Sequence, residues 1–446
     1  MSFLSKWLAG KSEAGPDPEV AIGRYTDAFK TPEQLEAWNR SLMLFDQGKR
    51  KESYLSFLNY LRDPREDNVH WTDETGDVTK FWFVQGSAIV EGYFDRHRLR
   101  AESRIALAPE PRIGLMRRLL EINFTLRYCR FALTPNRELV LCFDTFTADG
   151  SPFKILHALR ELAIHADKQD DLLLDEHDGL QRLPAAPIVP LPDEEKAAKY
   201  AYLVREIDHA FALLNAAKPD PVVYPNAYAF LLLSLAFRLD YLIKPEGFLM
   251  DVIERIYNIF FSKTNDNNNS PSARVQAITA EFRKIRERPR EDLYREMYRT
   301  RSTFGLSPAA NHDSVNDMIT RELPNMDWAL KNGYDELALA VPRYIAGLAL
   351  FQIVPPRPTN ELLHLFFQIT EAPYFRELGF RQSLTQPNGL PDKAAIKQAL
   401  KSLIAKHKAQ YPHLSLNPQA LNYVSMPLFA QSYMQALRTL NLRTDP

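Results

Sequence analysis

Residues 119–167 read LLEINFTLRYCRFALTPNRELVLCFDTFTADGSPFKILHALRELAIHAD. Two stretches of this segment, 124–133 and 138–146, are rich in aromatic and β-branched residues, as strands are. Pro135 and Asn136 lie between them and favour a turn, because Pro fixes one backbone angle of a turn and Asn tolerates the left-handed conformation. The pattern predicts an antiparallel hairpin.

A capped helix follows the hairpin, and three strand-like stretches precede it. Ser151 can accept bonds from backbone N–H groups and Pro152 suits a first helical turn, so the sequence predicts a helix over 151–175. Upstream, Gly86 and the charged turn at 95–98 separate stretches that read DVTKFWFVQGS, AIVEGYF and LRAESRIAL, and the helical sequence RIGLMRRLLEI follows. The order helix, strand, strand, strand, helix, strand, strand, helix predicts an α+β domain whose antiparallel sheet carries helices on one face.

Residues 31–64 have the pattern of a helical hairpin. Thr31 can cap the first helix, and Gly48 lies at the turn between two amphipathic stretches. The spacing of their apolar residues resembles one tetratricopeptide repeat. Because a single repeat cannot bury a continuous core, we expect its apolar face to dock on the α+β domain. The likeness rests on Trp38, Leu42, Phe45, Gly48, Tyr54, Phe57, Leu61 and Pro64.

A proline-rich stretch divides the chain into two predicted domains. Residues 183–195 read LPAAPIVPLPDEE, and four prolines among thirteen residues are typical of an extended linker. The stretches after it have apolar residues at three- and four-residue spacing, which predicts helices. We therefore predict the hairpin and the α+β domain at 21–182, the linker at 183–195 and an all-α domain at 196–446.

Composition argues against several classes of protein. Lys and Arg number 55 against 56 Asp and Glu, so the net charge of −1 gives no long-range attraction to nucleic acid. Two cysteines are too few for a disulfide framework, which favours the cytoplasm. The apolar stretches 227–237 and 337–354 are too short or interrupted for a span of about 20 residues. We predict no integral membrane segment, and the short amphipathic stretch 3–11 alone would give only weak peripheral contact with a membrane.

Two groups of side chains have spacings that can carry chemistry. His157, Glu161 and His165 lie on one face of the predicted helix and are geometrically able to hold a metal ion. No further ligand motif supports that interpretation, so we predict a polar stripe, with no metal and no cofactor. Cys129 and Cys142 lie opposite each other if the hairpin is centred on its Pro-Asn pair. We interpret them as buried apolar thiols rather than as a redox pair.

The sequence contains no complete catalytic motif, since GxGxxG, Walker-type and GxSxG patterns do not occur. The stretch 281–301 is rich in basic residues, but acidic residues interleave with them, which favours pairing along a solvated helix over a nucleic-acid face. We predict that the chain is not an enzyme. The alternative is an enzyme with a pocket between the two domains, which would use His157, His165 or His209 on an unknown small-molecule substrate.

The element order from about 75 to 175 resembles the type III secretion chaperone-like fold, which is also the fold of the YbjN-like family. The likeness is carried by LLEINFTLRYCRFAL (119–133), where Asn123 ends a helix, by ELVLCFDTF (138–146) and by SPFKILHALRELAIHAD (151–167). The resemblance implies a protein that acts without catalysis. Such a protein dimerises, or binds an extended segment of a partner protein on an exposed sheet and helix surface.

The resemblance also implies that aromatic side chains on the first two predicted strands contact the partner. These are Phe81, Phe83, Tyr93 and Phe94. Alternatively, members of this set pack under the helices, because one face of the sheet must be core. The large helical domain after 195 departs from the small secretion chaperones and favours an adaptor or scaffold. We therefore expect a cytoplasmic bacterial protein that binds other proteins.

Overall fold

The region that contains the sheet precedes the helical region in the chain. The computed structural model describes residues 17–74, 77–183, 188–261 and 270–444, so the stretch 3–11, with its predicted membrane contact, lies outside the described residues. A helical hairpin leads into an antiparallel sheet with two further helices, as predicted, and β1 and β7 are additional strands. The elements are α1 (Pro32–Asp46), α2 (Arg50–Leu61), β1 (Val69–Asp73), β2 (Thr79–Gln85), β3 (Ala88–Phe94), β4 (Arg98–Leu107), α3 (Ile113–Thr125), β5 (Arg130–Leu133), β6 (Glu138–Phe146), α4 (Pro152–Glu176) and β7 (Gln181–Arg182).

Local sequence explains where the helices begin. The Thr31 side chain accepts a hydrogen bond from the backbone N–H of Gln34, and the Gln34 side chain accepts one from the backbone N–H of Thr31. At the start of α4, Ser151 accepts a bond from the N–H of Lys154, and Pro152 occupies the first turn. Both helices therefore begin where the sequence predicts.

The sheet has the strand order β1-β2-β3-β4-β6-β5, and β7 pairs with β4. The β5–β6 hairpin departs from the expected register by one residue, because Arg130 and not Cys129 pairs with Cys142. The turn is therefore centred on Asn136 rather than on the Pro-Asn pair. A one-residue change moves a side chain to the other face of a sheet, so the two thiols do not face each other. The Sγ atom of Cys129 lies 3.4 Å from the carbonyl oxygen of Ala158 in α4, whereas Cys142 shares the other face with Arg130.

One face of the sheet is buried and the other is polar. Helices α2, α3 and α4 cover the buried face, where Phe83, Leu141 and Leu162 are fully enclosed. On the other face, Asp144 of β6 forms an ion pair at 3.1 Å with Arg98 of β4. The helices thus lie on one side of the sheet, as the element order predicts.

The rest of the chain is largely helical. Its elements are β8 (Val189–Pro190), α5 (Asp193–Ala216), α6 (Pro225–Ile243), α7 (Gly247–Phe261), α8 (Pro271–Glu287), α9 (Arg290–Arg295), β9 (Tyr298–Arg299), α10 (His312–Glu322), α11 (Asn325–Lys331), α12 (Asp335–Leu348) with a π-helical continuation (Ala349–Ile353), α13 (Arg357–Thr370), α14 (Ala372–Glu377), α15 (Lys393–His407), a 3₁₀ turn (Pro418–Ala420) and α16 (Met426–Arg438). The stretch 281–301, expected to be helical, is divided: α8 ends at Glu287, α9 ends at Arg295, and the chain then turns into β9, which pairs with β8. Residues 225–243 and 335–353 are long and apolar enough to cross a membrane, but most of their residues are buried in the fold, as in core helices.

A short segment of each region packs against the other region. Phe304, which follows β9, is buried in the core of the sheet, where its ring centroid lies 5.8 Å from that of Phe83. The Gln85 side chain accepts bonds from the N–H groups of Thr303 and Phe304 at 3.1 and 2.9 Å. In the other direction, Arg24 donates through Nε to Asp240 of α6 at 2.8 Å. Helix α4 contacts four strands of the sheet on one side and α7 on the other. It therefore lies between the sheet and the helical region.

Candidate functional site

Most of the aromatic residues predicted as partner contacts lie inside the protein. Phe81, Phe83 and Phe94 are 3%, 0% and 2% exposed, on the sheet face beneath the helices. These three residues do not form the expected exposed surface, because their face of the sheet is core. Tyr93 pairs with Lys80 of β2 on the opposite face and is half-buried. Trp82 is 41% exposed on that opposite face, and a longer run of exposed apolar side chains lies on α3.

An exposed apolar stripe runs along α3. Ile113, Met116, Leu120 and Phe124 are 88%, 40%, 67% and 92% exposed, and we call these four residues the α3 stripe. Their spacing of three, four and four residues places them on one side of the helix. The opposite side, which includes Leu119, packs into the core of the sheet. Several neighbouring exposed apolar side chains mark an interaction surface, whereas single ones are ordinary.

The strand beside α3 has its outer edge occupied by side chains. β5 is the last strand of the sheet and pairs with β6. Asn123 accepts a hydrogen bond from the N–H of Phe131 at 2.7 Å and donates one to its carbonyl oxygen at 3.4 Å. The carboxylate oxygens of Glu161 in α4 accept hydrogen bonds from the backbone N–H groups of residues 127, 128 and 129, with N···O distances of 2.8, 2.7 and 2.9 Å. An open edge could pair with another strand, but Asn123 takes up both outward backbone groups of Phe131, and Glu161 takes up the donors of the residues just before β5. The α3 stripe, rather than the strand edge, is the accessible feature.

Glu161 belongs to the predicted polar stripe of α4, together with His157 and His165, and it binds backbone N–H groups. Burial alone would raise the pKa of Glu161, but the three backbone donors lower it below its usual value. Burial lowers the pKa of His165. In the described part of the chain, no three His, Cys, Asp or Glu side chains are grouped so that they could hold a metal ion. Glu161 therefore orders the turn before β5.

A cavity of about 450 Å³ lies between α4 and the helical region. One part of its wall is aromatic and apolar, with Tyr241, Tyr257, Met250 and Phe351. The other part is charged. Its ionisable side chains are Arg24, Asp167, Lys168, Lys244, Glu246, Asp251 and Glu254. The cavity has the size and the mixed lining of a small-molecule site.

Several carboxyl groups near this cavity are protonated more readily than exposed ones. Asp167 accepts bonds from the N–H and the hydroxyl of Ser87 at 2.7 and 3.1 Å, and the same hydroxyl lies 2.7 Å from Asp170. Burial raises the pKa of both aspartates well above the usual value, and neighbouring carboxylates add to the effect. Burial also raises the pKa of Glu246. This part of the interface concentrates carboxyl groups where water is scarce, which favours their neutral form.

Gly86, between β2 and β3, permits the close approach of Asp167. Its φ is 55°, and a Cβ atom there would lie 1.7 Å from Oδ1 of Asp167. The sequence marks Gly86 as a break between strands, and the structure adds that the carboxylate occupies the space a side chain would need.

The three histidines of the alternative hypothesis, an enzyme with a pocket between the domains, are outside the described wall of this cavity. His157 and His165 lie on α4, whose contribution to the described wall comes from Ile164, Asp167 and Lys168. His209 lies on α5, 3.8 Å from Glu336 of α12. The wall residues come from distant parts of the sequence, so no local motif could have revealed them.

Among known proteins, no family model and no curated protein matches this chain.

Proposed function

We propose that the chain is a non-catalytic protein-binding adaptor of the bacterial cytoplasm and that the α3 stripe is its docking surface. The observation that carries the proposal is the exposure of four apolar side chains in helical register on one side of α3. Exposed apolar area of this kind is costly in water, and a partner protein removes the cost by covering it. The resemblance to secretion chaperone-like proteins supports the same class of function.

The partner is expected to present an apolar helix face rather than an extended strand. Asn123 and Glu161 occupy backbone groups at and beside the outer edge of β5, which disfavours the addition of a strand. The α3 stripe is a ridge with the spacing of helix-to-helix contacts. A partner helix with apolar residues at three- and four-residue spacing would fit against it.

The size of the stripe favours a partner segment over a second copy of the chain. From Ile113 to Phe124 the stripe extends about 17 Å along α3, at 1.5 Å per residue. With a width of about 10 Å it covers roughly 170 Å², whereas a stable interface buries about 800 Å² on each partner. We therefore propose a short helical segment of another protein as the occupant.

Photo-crosslinking in the native host tests this proposal with the full-length chain. A photoreactive amino acid at position 120 or 124 is compared with the same group at Val222, which is 76% exposed in the helical region. We expect one partner to be captured from both α3 positions and not from position 222, with the crosslinks mapping to an amphipathic helix of that partner. The variant Phe124→Asp should lose the crosslink from position 120, while Val222→Asp keeps it.

Two results would reject the proposal. Equal capture from position 222 would show that the α3 stripe is not a specific surface. A crosslinked species with twice the mass of the chain would identify a second copy as the occupant. Circular dichroism of Phe124→Asp is the control for folding, because the side chain is 92% exposed and its replacement leaves the core intact.

A further inference from the structure

The wall of the cavity between α4 and the helical region has more carboxyl groups than cations. Arg24 is bonded to Asp240, Lys168 forms ion pairs with Asp251 and Glu254 at 3.0 and 2.7 Å, and Arg255 also pairs with Asp251. Three wall cations face four wall carboxyl groups. The cations are Arg24, Lys168 and Lys244, and the carboxyl groups are Asp167, Glu246, Asp251 and Glu254.

Glu246 is a buried carboxyl group of the wall with few partners of its own. It is 7% exposed and lines the cavity. Among the described residues it has no ion pair within 4.0 Å, and the hydroxyl of Thr300 approaches its Oε1 at 3.5 Å, the limit for a hydrogen bond. Burial raises the pKa of this carboxyl group and outweighs the attraction of Arg24 and Lys244, which lie beyond ion-pair distance, so the anion is unstable there. A cation that entered the cavity would relieve this cost.

Aromatic and apolar side chains of the same cavity suit the organic part of such a ligand. Tyr257 and Phe351 lie with ring centroids 5.6 Å apart, and Tyr241 and Met250 continue the apolar surface. Aromatic faces attract cations as well as apolar groups. In the described part of the chain no cluster of side chains suits a metal ion, which favours an organic cation.

We propose that this cavity binds a small organic amine, with its ammonium group against Glu246 and Asp167 and its apolar body against Tyr257 and Phe351. The charged group would complete the hydrogen bonding of Glu246, and the apolar wall would exclude water from the pair. This site is separate from the α3 stripe. Its occupancy bridges α4 and the helical region, so bound amine should stabilise the packing between them.

Calorimetric titration of the full-length chain with three probes tests the proposal. The probes are phenethylamine, the neutral phenethyl alcohol and the anionic 3-phenylpropionate, which share an aromatic body and differ in charge. We expect binding of the amine alone, accompanied by a higher Tm. At mildly acidic pH the amine should displace a proton from the protein, because burial raises the pKa of Glu246 and a cation lowers it again.

Two substitutions make the titration decisive. Glu246→Gln should weaken amine binding by about tenfold or more, the scale of one hydrogen bond to a charged group. The variant should be at least as stable as the parent chain, because a buried charge is removed, so misfolding cannot explain the loss. Glu336→Gln, which removes a half-exposed carboxylate on α12, should bind as the parent does.

Four results would each overturn the proposal. They are equal binding of the alcohol, preference for the anion, unchanged amine affinity in Glu246→Gln, and no amine binding at millimolar concentration. Phe124→Asp, which disrupts the α3 stripe, should leave amine binding unchanged.

Discussion

Helices α3 and α4 cover the same face of the sheet, but their outer sides are opposite in character. The outer side of α4 is polar and covered: Lys168 pairs with Glu254 of α7. The outer side of α3 is apolar and open, with Phe124 92% exposed. A globular protein ordinarily does the reverse, because covering polar groups and exposing apolar ones both cost free energy. The polar side of α4 is covered because it packs against the helical region. The apolar side of α3 is open because, we propose, it packs against a partner protein.

The largest effect should come from a matched pair of leucines on the two helices. Leu162→Ala on the inner side of α4 removes a fully buried side chain and should lower the free energy of unfolding by about 2–5 kcal/mol. Leu120→Ala on the outer side of α3 should change it by less than about 0.5 kcal/mol. Urea unfolding of both variants measures the difference. Similar losses in the two variants would mean that the outer side of α3 is covered in solution.

A second effect should appear in the pH dependence of stability. The Glu296 carboxylate forms an ion pair with Arg288 and accepts a hydrogen bond from the N–H of Leu249. It lies near Asp171 on the outer side of α4, and burial raises its pKa to about 7 from the usual 4.5. The folded chain therefore keeps a proton that the unfolded chain loses, so this group lowers stability as pH rises from about 4.5 to about 7. At about 1.4 kcal/mol per pKa unit, the change is up to about 3 kcal/mol.

Unfolding in urea across this pH range checks the effect of Glu296. Glu296→Gln should remove part of the slope, and Glu336→Gln, at a half-exposed carboxylate, should follow the parent chain. Coinciding curves for Glu296→Gln and the parent would contradict the raised pKa, because the slope would then arise from other groups.

A smaller effect is expected from Glu161, which links α4 to the turn beside α3. Glu161→Gln replaces the charged acceptor of three N–H groups and should cost about 1–2 kcal/mol, at the low end for bonds to a charged group because the side chain is partly exposed. Because its folded pKa is lowered, the stabilisation is present above the usual pKa and is lost as pH falls through the folded value. Amide hydrogen exchange at 127–129 should become faster in Glu161→Gln. Unchanged protection there would show that the turn is held by other contacts.

Local signals made part of the fold predictable from the sequence. The capped start of α4 depends on Ser151 and Pro152, which act on neighbouring backbone groups. β1 was not predictable, because VHWTD is short and mostly polar and becomes a strand by pairing with β2. The register of the β5–β6 hairpin depends on a turn that one residue can shift, as Cys129 and Cys142 show.

The candidate sites depend on long-range packing and were less accessible from sequence. RIGLMRRLLEI has apolar residues on two sides of its helix, but the sequence does not say which side the sheet covers. Buried Phe81, Phe83 and Phe94 illustrate the same difficulty, since strand alternation identifies two faces without stating which one is core. The cavity wall joins residues as distant as Arg24 and Phe351, which only the folded chain brings together.

The position of Phe304 imposes an order of events on protein synthesis. The core of the sheet is completed by a residue that lies 219 positions after Gln85, its hydrogen-bonding neighbour. At roughly 5–20 residues per second, a ribosome needs about 10–40 s to make that length of chain. The last long strand of the sheet, β6, ends at Phe146, 158 positions before Phe304, so the slot for Phe304 in the sheet core is unfilled until those residues have been translated. Final closure of the sheet therefore waits until much of the helical region has been translated.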